Sequence, residues 1–348
     1  MQWKWQGPLN GGITQSLIQK YLTNPYTFVL YYGLGLEEPE EYNQNLLWGN
    51  VMHKGLEIGL MHPEPIKEQI EQIKPELALE AKKWPYINNT TVPSVIEMLK
   101  LYDDSFKNNF FYPQEYQGTI TGFSEYHCKT EQQFKILHRT DSNNTVSLMG
   151  KIDGIGIMPC GTPVLIEHKC KGSYDPLQFR KEIHTDLQLN IYCKANKINN
   201  YVYDNILIPE TQWNCPARDM MERHEFYIKR LYHTHTWGSY PVARKAFAWL
   251  DQYTGTLPQE GIEDYFKMTV NPIIDQIVDL YNYCSEPTFD PFNPACFNKL
   301  YFNRPLRLFD PAKTDKFKMS YWNYLSGQID KSALVPTQEL FKELKGEG

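Results

Sequence analysis

Residues 148–194 read LMGKIDGIGIMPCGTPVLIEHKCKGSYDPLQFRKEIHTDLQLNIYCK, and their pattern decides the fold. Two apolar runs, Val146–Met158 and Pro163–Lys169, alternate as neighbouring strands do, with Cys160-Gly161-Thr162-Pro163 as turn chemistry between them. Side chains alternate across a strand. Leu165, Glu167 and Lys169 therefore share one face, and Val164, Ile166 and His168 the other. In the first run Asp153 follows Gly150 and Ile152, an acid where a core strand prefers valine.

Pairing the two runs as a hairpin brings Asp153 towards Glu167 and Lys169. Converging carboxylates repel unless a cation lies between them, and hard oxygen donors suit Mg²⁺ or Mn²⁺. A lysine beside such a site can steer or deprotonate a water. Metal, water and lysine together are the parts needed to attack a phosphodiester. Taken alone the hairpin also fits an ordinary solvated surface, because an acid followed by Glu-x-Lys is a short pattern.

Downstream, Asp175-Pro176 is the expected start of a helix running to about Lys194. Gln188 and Tyr192, four apart, fall on one face of it. Gly150-x-x-Asp153, Glu167-x-Lys169 and Gln188-x-x-x-Tyr192 together resemble the motifs of the PD-(D/E)XK nuclease superfamily, in its RecB-like exonuclease branch. The resemblance spans roughly residues 14–210. It implies an α/β (α+β) fold with a restriction-endonuclease-like mixed central sheet flanked by helices, and helical extensions at both ends.

The segment Asn45–Leu60, NLLWGNVMHKGLEIGL, has helical spacing, with His53, Leu56 and Leu60 on one stripe. A histidine there is read from the residues either as a hydrogen-bonded core group or as a ligand. Here Gly49-x-x-x-His53-x-x-Leu56-Glu57 resembles the branch's first motif, which makes His53 a metal ligand. Gly49 would let the helix approach the hairpin closely, and Glu57 would pair within the helical layer. The resemblance further implies Asp153, Glu167 and the backbone carbonyl of His168 as ligands, with Lys169 positioning or activating water. Gln188 and Tyr192 would fix the lysine and the scissile phosphate. Lys171 and Arg180 are the accompanying candidates for substrate contact, and Asp186 is a weaker member of the set. Helices flanking the hairpin resemble channel walls in this branch, which implies a need for a free, single-stranded DNA end.

Residues 13–33 read as two short helices broken at Asn24-Pro25. This segment resembles a family signature that carries a cysteine where Asn24 stands. In iron–sulfur relatives that cysteine is a cluster ligand, and Cys284 and Cys296 alone lie in the comparable C-terminal region. No iron–sulfur cluster is expected.

Composition sets the outer bounds. The chain has 348 residues, 41% hydrophobic and 22% charged, enough for a sizeable core. A net charge of −6 argues against non-specific coating of nucleic acid and leaves room for a local basic groove. The 24 tyrosines serve either a thick core or base stacking. Seven thinly spread cysteines fit a reducing cytoplasm (the host's, if viral), and no run approaches a membrane span.

One domain is expected over 1–348: a helical part to 110, a catalytic α/β core over 111–230, and a helical and irregular part over 231–348. Within it, helices are expected from Pro63 to Phe111 with a kink or break before Pro75, a strand meander over 114–139, strands at 201–210 and 223–230, and helices over Tyr240–Tyr253 and Ile262–Cys284, the second kinked at Pro272. Glu125 is a weak second-metal candidate. Arg223, His224, Lys229, Arg230, His233 and His235 form a basic cluster, read either as phosphate contacts with Trp237 stacking nearby or as an exposed strand end, and Arg304 and Arg307 are candidate backbone contacts. The function expected is a Mg²⁺- or Mn²⁺-dependent DNA exonuclease of recombination, repair or replication, with a recombinase or helicase partner and a bacteriophage or bacterial source. The rivals are an endonuclease or resolvase of the same fold, and a silent DNA-binding assembly protein.

Overall fold

The computed structural model describes residues 1–23, 25–37, 44–62, 64–83, 91–103, 128–157, 161–171, 179, 181–208, 250–290, 296 and 335–336. Within these, the chain divides into two compact units.

One unit comprises residues 42–133 and 151–262. Its residues 44–102 hold three helices, α2 (Gln44–Met61), α3 (Ile66–Lys82) and α4 (Thr91–Tyr102). A five-stranded sheet is built from β1 (Cys128–Arg139), β2 (Thr145–Ile157), β3 (Pro163–Lys171), β4 (Asn200–Leu207) and β5 (Leu250–Thr256), in that order. Strands β2 and β3 form the expected antiparallel hairpin, paired from Ile157↔Pro163 to Gly154↔Ile166, with Gly161 in the left-handed region (φ 82°) at the turn. β4 runs parallel to β3, and β5 antiparallel to β4, so the sheet is mixed. The parallel connection passes through α5 (Leu187–Asn196).

Alternation along β3 and β4 gives the sheet two different faces. Val164, Ile166, Val202, Ile206 and Ile208 belong to one buried cluster with apolar residues of α2, α3 and α4. The stripe Val95, Leu99, Tyr102 is buried there, as its spacing predicts. Gly55 permits the close approach of α2 to α4, since a Cβ at that position would lie 2.5 Å from Leu99 Cδ1. The opposite face carries Leu165, Glu167 and Lys169, with Tyr201 and Tyr203 beside them in register. Tyr102, Tyr201 and Tyr203 are fully buried, so these tyrosines serve the core.

The other unit comprises residues 1–41, 134–150 and 263–348. Its helices are α1 (Gln15–Thr23) and α6 (Asn271–Ser285). Trp5 lies edge-on to Phe28 and Tyr281, and its indole N–H donates to the Gly12 carbonyl (3.2 Å). Ile13 adds a parallel bridge beside Leu148. The β1–β2 turn is tied to α6 by Asp275, which accepts from Thr140 (2.5 Å) and Asn144 (2.8 Å).

Four expectations differ from what is found. α3 runs unbroken through Pro75, because Pro75 and Glu71 lie on the exposed side, where water can satisfy the carbonyl that proline leaves unbonded. Residues 250–253, expected at the end of a helix, belong to β5. Pairing with β4 completes the sheet there, and tertiary hydrogen bonding outweighs the local helical spacing. The helix expected over Ile262–Cys284 is split into Gln259–Tyr265, a π stretch Phe266–Val270, and α6 with Pro272 in its first turn. The helix carrying Gln188 begins at Leu187, where Asp186 caps it by accepting from the Leu189 amide (2.7 Å). Asp175 and Pro176 lie outside the described residues, as do Glu125, Arg180, the basic cluster 223–235, Trp237, Arg304 and Arg307.

Tyr102 of α4 donates to the buried Asp204 carboxylate of β4 across 2.7 Å. Removing that hydroxyl by Tyr102→Phe is expected to cost about 1.5–3 kcal/mol, the usual worth of a bond to a charged group. Urea denaturation measures it, and an unchanged midpoint would mean that the bond contributes nothing.

Candidate active site

Asp153 and Glu167 adjoin the Gly154↔Ile166 pair on the two strands of the hairpin. There Asp153 Oδ2 accepts the main-chain amide of His168 (2.8 Å), and Oδ1 lies 3.6 Å from Nδ1 of His53 on α2. The hairpin's alternation and the helical spacing of α2 thus bring three expected residues together. Gly49 backs onto β3, but a Cβ there would meet Cys170 Cβ at 3.5 Å, an ordinary contact. Glu57 pairs with Lys54 (3.0 Å) within its own helix.

Glu167 is almost wholly buried. Its Oε1 accepts from Lys169 Nζ and from Gln188 Nε2 (2.6 Å), while Gln188 Oε1 accepts a second Lys169 N–H (2.7 Å). Gln188 Nε2 also reaches the Tyr192 hydroxyl (3.1 Å), which donates to the Lys151 carbonyl (2.7 Å). The four-residue spacing on α5 therefore does what the sequence requires of it, setting amide and phenol side by side over the Glu-x-Lys strand. Asp186 serves as the helix cap. Lys171, on the same face, has its ammonium 5.1 Å from the Phe179 ring centre and 5.9 Å from that of Tyr203.

Electrostatics distinguishes the two acids. Burial alone would raise the Asp153 carboxyl, but the charges of His53, His168 and Lys169 hold it far below the usual range. Burial, then the charge of Asp153, pushes Glu167 up to about 8. Burial would lower His53 and Lys169, yet both are raised: Asp153 outweighs burial at the imidazole, and Glu167 and Asp153 outweigh it at the ammonium. Burial and the two carboxylates keep the Tyr192 phenol protonated. Lys169 is thus a cationic donor at neutral pH.

Among the described residues no group of three or more His, Cys, Asp or Glu stands assembled as a metal cage. The donor set nevertheless fits a hard divalent cation. Glu167 Oε2 is buried with no hydrogen-bond partner, beside a second carboxylate and an imidazole. A cation there would satisfy that oxygen and relieve the repulsion that raises Glu167.

Behind the site, on the helical side of β3, is a set of polar residues that sequence reasoning passed over. Asp204 is completely buried and accepts from Tyr102 and from Gln252 (2.7 Å each), with His168 Nδ1 at 3.0 Å from its Oδ2. The His168 ring lies edge-on to both His53 (6.3 Å between centres) and Tyr102 (5.8 Å). The signal was present in the sequence: an acid inside the apolar run YVYDNILI is as anomalous as Asp153.

A mixed five-stranded sheet flanked by helices, with two acids and a lysine on its central hairpin and a glutamine helix above them, is consistent with a restriction-endonuclease-like fold. A family model for the PD-(D/E)XK nuclease superfamily matches residues 13–218, and the chain belongs to that superfamily. No curated protein matches it. The chain is also similar to a solved structure titled "Crystal structure of SSO0001", at 14% identity over 79% of this chain and 88% of that one, with a TM-score of 0.28. Among the described residues no helix is long and apolar enough to cross a membrane.

The raised Glu167 carboxyl has a consequence for stability. In the unfolded chain the group releases its proton near 4.5, whereas in the fold it keeps it to about 8. The folded state binds more protons between these limits, so stability falls as pH rises through them. In EDTA, the wild-type denaturation midpoint is expected to drop against that of Glu167→Gln as pH rises from 5 to 8. Parallel midpoints for the two proteins would contradict the assignment.

Proposed function

We propose that this protein is a Mg²⁺- or Mn²⁺-dependent DNA exonuclease that requires a free end and favours single strands. The observation that carries the reading is the unpartnered Oε2 of Glu167 beside a lysine already fixed by Gln188. His53, Asp153, Glu167 and the His168 carbonyl would hold the cation. When bound, it supplies charge neutralisation at the phosphoryl oxygens and lowers the pKa of a coordinated water.

The residues do the remaining work. Lys169, kept cationic by the negative charge of Glu167 and Asp153, orients the attacking water. Gln188 holds that ammonium in place, and Tyr192 anchors Gln188 to the backbone of β2. Lys171 reaches strand phosphates from the same face, with Arg180 as a second contact. End-dependence is supported by the resemblance to enclosing exonucleases and by the net charge of −6, since a narrow passage needs only a few cations where an open duplex cleft needs a broad basic face. A role in recombination, repair or replication, with a recombinase or helicase as partner and in a bacterial or phage-infected cytoplasm, belongs to the same reading.

Lys169→Ala is expected to lose ~10²–10⁴-fold in cleavage rate while keeping metal binding, measured on purified protein with labelled DNA. Near-wild-type turnover would remove the lysine from the mechanism. His53→Ala should weaken Mn²⁺ binding in calorimetric titration, because imidazole suits Mn²⁺ better than Mg²⁺. Linear single-stranded DNA should be degraded to short products while the same sequence circularised survives. Equal rates on both would identify an endonuclease.

A further inference from the structure

Asn205 lies on β4 in register with Lys169, and alternation between Asp204 and Ile206 turns it to the Glu167 side of the sheet, away from the helical layer. It is 2% exposed, and both its amide oxygen and its amide nitrogen are buried without a hydrogen-bond partner among the described residues. A buried primary amide with neither end satisfied is costly in a native fold and calls for a bound water, an ion or a functional role. Its neighbour explains what fits. The Lys169 ammonium has three N–H groups, of which Glu167 and Gln188 receive two. A group bonding both to the third N–H and to Asn205 must accept from an ammonium and an amide and donate to an amide carbonyl. One water does all three, which is the usual complement of a buried water.

We propose that Asn205 is a positioning residue of this site: with the third N–H of Lys169, its amide holds one ordered water on the Glu167 face of the sheet. The water extends the Glu167–Lys169–Gln188 network sideways onto β4 and fixes the direction of the remaining lysine proton. Asn205 thereby acts on the reaction through Lys169. Apolar replacement would let the ammonium turn while leaving the fold intact. Such loss of aim lowers turnover more than it lowers substrate affinity.

The inference rests on the nuclease reading, and two measurements separate their fates. Divalent-dependent cleavage by the wild type, lost in Lys169→Ala, tests the nuclease reading alone. A crystal structure at a resolution that shows waters tests the inference whatever the activity. One water within hydrogen-bonding distance of both Asn205 and Lys169 Nζ supports it, whereas a dry amide or one bonded to protein overturns it. In kinetics, Asn205→Leu should lower kcat roughly 10–100-fold, with KM changed far less and the thermal midpoint unchanged or raised. Wild-type kcat in that variant overturns the positioning role. Should Asn205→Leu fold poorly, the near-isosteric pair Asn205→Thr and Asn205→Val decides. Higher kcat for the threonine variant at equal thermal midpoints supports the water, and equal kcat values overturn it.

Discussion

Two carboxyl groups sit within neighbouring strands, shut off from most water and close enough to repel one another. Each term would be unfavourable alone, and a fold that contains both must supply compensation from several directions. The surroundings of Asp153 and Glu167 consist of that compensation. Asp153 is matched by the imidazole of His53 and the amide of His168. Glu167 is matched on one oxygen by Lys169 and Gln188 and on the other by nothing among the described residues. The asymmetry leaves the site poised for a cation: neighbouring positive charge holds the Asp153 carboxyl low, while burial and the charge of Asp153 push the Glu167 carboxyl up.

The elements around the hairpin follow from this requirement. α2 delivers His53, and α5 delivers Gln188 and Tyr192 at a spacing of one helical turn. β4 contributes to both sides at once. Asp204, facing the helices, is fixed by Tyr102 and Gln252 and borders the His168 ring, while Asn205, one residue on, faces Lys169. His168 joins the two layers, because its ring lies among the helices while its amide holds Asp153. A substitution in the buried polar set behind β3 would therefore reach the acids through the main chain of a single residue. Buried polar groups this interlocked cost stability when partly satisfied and specify one arrangement when complete.

Local sequence determined the hairpin, because side-chain alternation and turn chemistry act over a few residues and the anomaly of an acid in an apolar strand is visible there. It likewise determined the stripes of α2 and α4 and the pairing of Gln188 with Tyr192, all consequences of fixed helical or strand periods. The grouping of His53 with residues a hundred positions later was legible through motif order, which carries information that no local pattern does. Tertiary structure decided the rest. It made residues 250–256 a strand, since only the open edge of β4 supplies the hydrogen bonds that outweigh their local preference. It kept α3 continuous through Pro75, since the missing bond falls on the solvent side. It also decided which acid is pushed down and which pushed up, and which polar groups in YVYDNILI are satisfied. Burial, neighbouring charge and hydrogen-bond geometry belong to residues brought together across the sheet, and none of the three is a property of the chain taken in order.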